Sequence, residues 1–164
     1  ANNQPLKGRK GQLWEGGIRV PMAIQWPGRI PAGSVCSDPV ITLDLLPTFI
    51  AAAGNGVEAS WNLDGENILE YLEGKSDSLQ ERNLFWRRNG GSGPIAVRRG
   101  KWKMIHQRNQ PDAAPQLFDI AADIGETKDV AEKHPELLQE LVDVASEWES
   151  ELARPLWGPN SGEK

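Results

Sequence analysis

Between Asn83 and Leu152, four short apolar runs broken by glycine and proline are followed by one long stretch with helical spacing. That order leaves few folds open. Asn83–Arg88 and Ile95–Arg99 read as strands separated by the glycine-rich NGGSGP. Arg99-Gly100 is a two-residue turn candidate into Lys101–His106, and Gln116–Ile120 makes a fourth strand. His134-Pro135 then opens an amphipathic helix to about Leu152, with Leu137, Leu141, Val144, Trp148 and Leu152 on one face. Strands followed by a covering helix predict an α+β unit, an antiparallel sheet of about four strands with one face buried.

The residues before Asn83 are less regular. Ile18–Trp26 (IRVPMAIQW) reads as a strand, and Pro21 makes it an edge or an irregular start. Residues 27–39 hold Pro27, Pro31 and Pro39 with Gly28 and Gly33, a loop composition. Asp44 is placed to cap a helix that tolerates Pro47 in its first turn and stops at Gly54. A second short helix spans about Asn67–Glu73 and ends at Gly74. The chain thus divides into a loop, strand and helix over 1–55, a connecting segment over 56–82, the sheet-and-helix part over 83–152 and a loose tail over 153–164.

Composition narrows the function. The 164 residues suffice for one core and carry a net charge of -5, unevenly spread. From Arg82 to Arg108 the chain has eight Lys or Arg and no acid, whereas Asn109–Lys164 has thirteen acids against four bases. The basic segment either attracts an anion through its local field or pairs with the acidic C-terminal helix. Nucleic acid is disfavoured by the acidic whole and by the absence of a recognisable module. No apolar run of about 18 residues is present to span a membrane. Cys36 is the only cysteine, which excludes an internal disulfide and a multi-cysteine metal site. It is read as a packing residue.

Several motifs in series carry a family resemblance. Lys10-Gly11-x-x-Trp14-Glu15-Gly16-Gly17-Ile18-Arg19-Val20-Pro21, Trp26-Pro27-Gly28 and Leu43-Asp44-Leu45-Leu46-Pro47-Thr48 resemble the formylglycine-dependent sulfatases of the alkaline phosphatase superfamily. Ala96-Val97-Arg98-x-Gly100-Lys101-Trp102-Lys103 resembles that family's hairpin, and Leu117-Phe118-Asp119-Ile120 with Asp123 and Glu126 resembles its LYDLxxDPxE segment. The resemblance runs in order over about residues 4–152. The Cys/Ser-x-Pro-x-Arg signature, the paired aspartates for the divalent cation and an Asp-Asn-Gly segment have no counterpart here. Cys36 begins Cys-Ser-Asp-Pro-Val and does not match the signature. The expectation is therefore the C-terminal portion of a sulfatase, with residues 1–55 the end of its large α/β domain.

The resemblance implies a parent enzyme that cleaves sulfate monoesters with a hydrated formylglycine nucleophile and calcium, neither supplied by this stretch. It implies that Lys10 contacts the sulfate as a compact point charge, with Gly11 and Gly16-Gly17 letting the loop turn. Trp14 and Glu15 pack and hydrogen-bond that loop. It also makes His106 a candidate substrate contact, while His134 is a helix-capping position. The partner is a sulfated small molecule or glycan, and the family's habit is the periplasm, cell exterior or lysosome. Two alternatives stand beside it: a phosphate or phosphonate monoester hydrolase of the same superfamily, and a non-catalytic module holding sulfated glycans on the basic hairpin. The apolar faces of Ile18–Trp26 and the helix after Asp44 would lack their partner, so self-association through the first 55 or so residues is expected.

Overall fold

The computed structural model describes residues 2–110 and 112–153 and contains two compact units, one built from the residues up to Val20 with those from Arg82 onward, the other from Pro21–Glu81. In the first unit, β1 (Asn83–Arg87), β2 (Ile95–Arg99), β3 (Trp102–His106) and β4 (Gln116–Asp119) form an antiparallel meander in the order β1-β2-β3-β4. The turn between β2 and β3 pairs Arg99 with Trp102 and puts Gly100 at φ +53°, a left-handed conformation that glycine adopts without strain. The long helix α4 spans Pro135–Glu151, with proline in its first turn where no N–H is needed.

Strand alternation sorts the side chains into two layers. Phe85, Ile95, Val97, Met104 and Leu117 face α4 and pack on Leu141 and Ala145. Phe85 stacks on Trp148 with ring centroids 4.8 Å apart. Leu137 and Trp148 serve the expected face of α4; Leu138, Val142 and Ala145 join them there. The opposite side of the sheet is also covered. Leu13, Trp14 and Ile18 pack on Trp86, Ala96 and Ile105, and the Trp14 ring meets Phe118 edge-on at 5.6 Å. Burying each of these large side chains is worth about 1.5–3 kcal/mol.

This second cover corrects two expectations. The sheet has two buried faces rather than one, and residues 1–20 belong with the sheet rather than with residues 21–55. The strand expected over Ile18–Trp26 does not form. Glu15–Ile18 is instead a single helical turn, α1, and residues 19–26 have no ladder partner among the described residues. A strand exists only by pairing, and Pro21 has no N–H to offer.

In the second unit, a 3₁₀ turn over Thr42–Asp44 leads into α2 (Leu45–Ala52), and α3 is the short Leu69–Leu72. Buried Asp44 does not cap α2; its carboxylate accepts from Ile41 N (2.9 Å) and Glu66 N (3.0 Å). The Thr48 hydroxyl donates to Asp44 O at 2.6 Å and accepts from Ile68 N at 3.0 Å. The unit is thus stitched by side-chain-to-backbone bonds, while Leu43, Leu46 and Phe49 stay about half exposed. No described helix is long and apolar enough to cross a membrane. Of the expected loose tail, residues 154–164 lie outside the described residues.

A chain begun at Ser78 would lose Leu13, Trp14, Glu15 and Ile18 and bare one whole sheet face. We expect such a chain to lack near-ultraviolet circular dichroism and to aggregate, where the 164-residue chain shows a packed aromatic signal. A well-packed monomer from Ser78 onward would show that the N-terminal cover is dispensable.

Candidate functional site

Lys10 sits in a loop whose backbone is closed on itself. Gly8 and Gly11 adopt φ +85° and +86°, and Gln12 folds back, its Oε1 accepting from Arg9 N at 3.0 Å. The Asn3 side-chain amide donates to Gly8 O (3.2 Å) and Gly16 O (2.7 Å). Gly16 N donates to Lys7 O at 2.8 Å. The glycine pair is needed for close approach. A Cβ on Gly16 would stand 2.7 Å from Lys7 O, and one on Gly17 would collide with Gln12 O and lie 2.6 Å from Arg9 O. The freedom to turn expected of this pair lies instead at Gly8 and Gly11.

The two lysines of the loop are treated differently. Lys7 Nζ stands 3.6 Å over the Trp14 ring and donates to Glu126 O at 3.1 Å. Lys10 is exposed, and its ammonium has no ion pair among the described residues. It is the one free to meet an anion.

Beneath the loop lies a buried cluster of charges. Lys103, on the sheet face away from α4, is fully buried, and its Nζ lies 2.8 Å from both Glu15 Oε1 and Glu126 Oε1. Glu15 Oε2 receives Arg19 Nε at 2.5 Å and Arg98 Nη1 at 3.2 Å. Glu15 N donates to Glu126 Oε2 at 2.7 Å. Glu126 Oε1 pairs with Lys103 outside hydrogen-bond geometry, and it is the one buried side-chain polar atom among the described residues without a hydrogen bond. Glu126 holds φ +52°, costly for a residue with a Cβ. The turn is fixed by Asp123, whose Oδ2 accepts from Thr127 N (2.7 Å) and Lys128 N (2.8 Å).

Environment drives the two carboxylates apart. Burial opposes ionisation of Glu15, but Lys103, Arg19 and Arg98 together outweigh it and hold the group below the usual glutamate range. For Glu126, burial dominates, the charge of Glu15 adds to it, and Lys103 only partly offsets both, so its pKa is raised. Burial also lowers the pKa of Arg98. Lys103 and Glu126 escaped the sequence reading as a cluster. Their signal is strand alternation: Lys103 shares a face with Ile105, so covering that face must bury it.

The basic segment is largely paired. Arg87 and Arg108 meet Glu149, Arg99 meets Glu140 and Lys101 meets Asp119. His106 ends β3 with Nε2 3.0 Å from Ala113 O. His134 occupies the N-cap position of α4 without a side-chain capping bond, its ring against Trp102 at 4.8 Å. Cys36 is exposed rather than packed. No three His, Cys, Asp or Glu among the described residues could jointly hold a metal ion, and Glu15 and Glu126 are already committed to Lys103.

Glu15→Gln removes one of the two countercharges of a buried ammonium, and also the partner of Arg98 and Arg19; breaking such a buried pair costs about 3–5 kcal/mol at neutral pH. The folded pKa of Glu15 is depressed, so its contribution is present above the unfolded value and is lost as pH falls through the lower, folded one. Denaturant unfolding should therefore separate the variant from the parent chain at pH 7 and bring them together in strong acid. Equal stability at neutral pH would overturn this account.

A family model described as N-sulphoglucosamine sulphohydrolase, C-terminal, matches residues 9–152. A sulfatase from Formosa agariphila is 31% identical over 166 residues, covering 92% of this chain and 29% of that protein. Arylsulfatase G of Rattus norvegicus is 31% identical over 149 residues, covering 81% of this chain and 28% of the relative. The solved structure of Ps i-CgsB in complex with k-i-k-neocarrahexaose superposes with a TM-score of 0.85 at 38% identity, over 96% of this chain and 34% of that one. The chain thus spans about a third of the length of the proteins it matches. With the meander, the covering helix and the motifs in register, the chain belongs to the sulfatase family, in the C-terminal region that the family model describes.

Proposed function

We propose that this chain forms part of a sulfuric ester hydrolase and contributes Lys10 to the binding of the sulfate group. The observation that carries this reading is the contrast within one loop: Lys7 is spent on Trp14 and Glu126, whereas Lys10 is held out unpaired on a backbone fixed by Gly16-Gly17. A cation carried on a backbone already fixed meets charge developing on the sulfate oxygens with less reorganisation. Calcium and formylglycine, where the reaction uses them, come from residues beyond this sequence, and the 164 residues alone turn over no sulfate ester. Sulfated glycans are the substrate class. The support is the sulfatase family match, together with the oligosaccharide complex of the neighbour at 38% identity. His106 is a secondary candidate for substrate contact, at the sheet end next to β1 residue Arg87 across Ile95.

In the whole enzyme, Lys10→Ala should lower kcat by about 10²–10³, the loss seen when one oxyanion donor is removed. An effect below about threefold would remove Lys10 from the reaction. Parallel assays with an aryl sulfate and an aryl phosphate separate the sulfatase reading from a phosphate monoester hydrolase. On the same reading, the half-exposed Leu46 and Phe49 of α2 face another part of the enzyme. The 164-residue chain should then self-associate in light scattering, and Leu46→Ser with Phe49→Ser should shift it toward monomer. A chain already monomeric at high concentration would refute that assignment.

A further inference from the structure

One cation in the basic segment stands apart from the rest. Between Arg87 and Arg108, six side chains (Arg87, Arg98, Arg99, Lys101, Lys103 and Arg108) pair with carboxylates. Arg88 does not. Its exposed guanidinium donates from Nη1 to the neutral carbonyl of Gly11 at 2.6 Å. A Cβ on Gly11 would meet Arg88 Cζ only at ordinary van der Waals distance, 4.0 Å. Of the five N–H donors of a guanidinium, four have no partner among the described residues. Arg88 therefore lies against the residue next to Lys10, with its charge uncompensated.

The backbone beneath Arg88 is built to hold it. Arg88 N donates to Pro94 O at 3.0 Å, closing the β1–β2 turn. Asn89 and Gly90 take left-handed conformations at φ +59° and +64°, and a Cβ on Gly93 would collide with Arg88 O. Arg108 Nε donates to Gly93 O at 2.9 Å while its Nη1 and Nη2 grip Glu149 at 2.6 and 3.0 Å, tying the turn to α4. A guanidinium fork carried on a fixed backbone, with free donors, suits a second planar or tetrahedral anion better than an ammonium does.

We infer that Arg88 is a specificity residue of the Lys10 site and binds a second anionic group, sulfate or carboxylate, on the same sugar as the sulfate held by Lys10 or on its neighbour. The substrate class is thereby a polyanionic glycan rather than a singly charged aryl or alkyl sulfate. The inference rests on the reading of Lys10 given above, and the two can fail separately.

The test uses the 164-residue chain, isotope-labelled and titrated with N-sulfoglucosamine 6-sulfate and with N-acetylglucosamine 6-sulfate, following the Gly11 amide and the Arg88 Nε–H resonance. The disulfated sugar should move both signals and bind about tenfold tighter, the scale of one charge-assisted contact. Arg88→Gln should erase that preference by weakening the disulfated sugar far more than the monosulfated one. Arg88→Lys, which keeps the charge but loses the fork, should retain only part of it. Lys10→Ala should weaken both sugars alike. A preference that survives Arg88→Gln, or an Arg88 signal that neither sugar moves, overturns the proposal. Loss of preference in Arg88→Gln with no effect of Lys10→Ala would retain Arg88 as an anion contact and reject Lys10.

Discussion

A fully buried lysine needs a reason. Taking an ammonium out of water costs several kcal/mol even after the protein relaxes, and only close, well-placed countercharge offsets it. Lys103 obtains this from Glu15, 88 positions away in sequence, and from Glu126. Glu15 in turn donates its backbone N–H to Glu126 across 111 positions. Three segments that share no local interaction are therefore bound to one another by a single charge. If the Lys103 strand or the Glu15 turn is displaced, a charge short of its partner is left in an apolar layer between Trp86, Ala96, Ile105 and Phe118 on the sheet and Leu13, Trp14 and Ile18 above it. The apolar contacts tolerate small slips, because burial has no direction. The ion cluster does not.

That division of labour explains the loop above it. Glu15 anchors the C-terminal end of the loop to the sheet, and Gly16-Gly17 bring the carbonyls of Lys7, Arg9 and Gln12 into close approach over α1. Lys7 ties the near side to Glu126 and Trp14. Of the two lysines, Lys10, beside the left-handed Gly11, is the one left without an ion pair among the described residues. A loop whose backbone is fixed narrows where the Lys10 charge can reach, since the backbone's ordering entropy is met in folding rather than in binding. Arg88 extends the same logic from the neighbouring turn.

Much of the architecture was legible in the sequence because strands and helices announce themselves by period. The four strands begin and end within a residue or so of their patterns, and α4 opens at Pro135 as its proline implies. The motif string contains Glu15, Lys103 and Glu126 but not their contact, since pairing over such distances leaves no local periodicity. The alternation of Trp102, Lys103, Met104 and Ile105 did carry a hint, yet it becomes decisive only once both sheet faces are known to be covered. The misreading of Ile18–Trp26 has the same origin. Its β-branched and aromatic residues suit a strand, but β-propensity reports fit to a neighbour, and none of the described residues pairs with it.

The opposed behaviour of the two glutamates follows from counting their cations. Glu15 faces Lys103, Arg19 and Arg98, while Glu126 shares Lys103 alone and lies close to the negative charge of Glu15. Burial acts on both, yet it wins only at Glu126. The signs matter for the frame. A carboxyl whose folded pKa is raised favours the fold in its protonated form, so mild acid relieves Glu126 rather than harming it. A carboxyl whose folded pKa is lowered keeps its contribution until pH falls below the ordinary glutamate range, so Glu15 holds Lys103 after Glu126 has taken up a proton. The first protonation thus removes the less compensated charge and leaves the Lys103–Glu15 pair intact with both arginines. The lock beneath Lys10 survives mild acidification because its two acids titrate in that order.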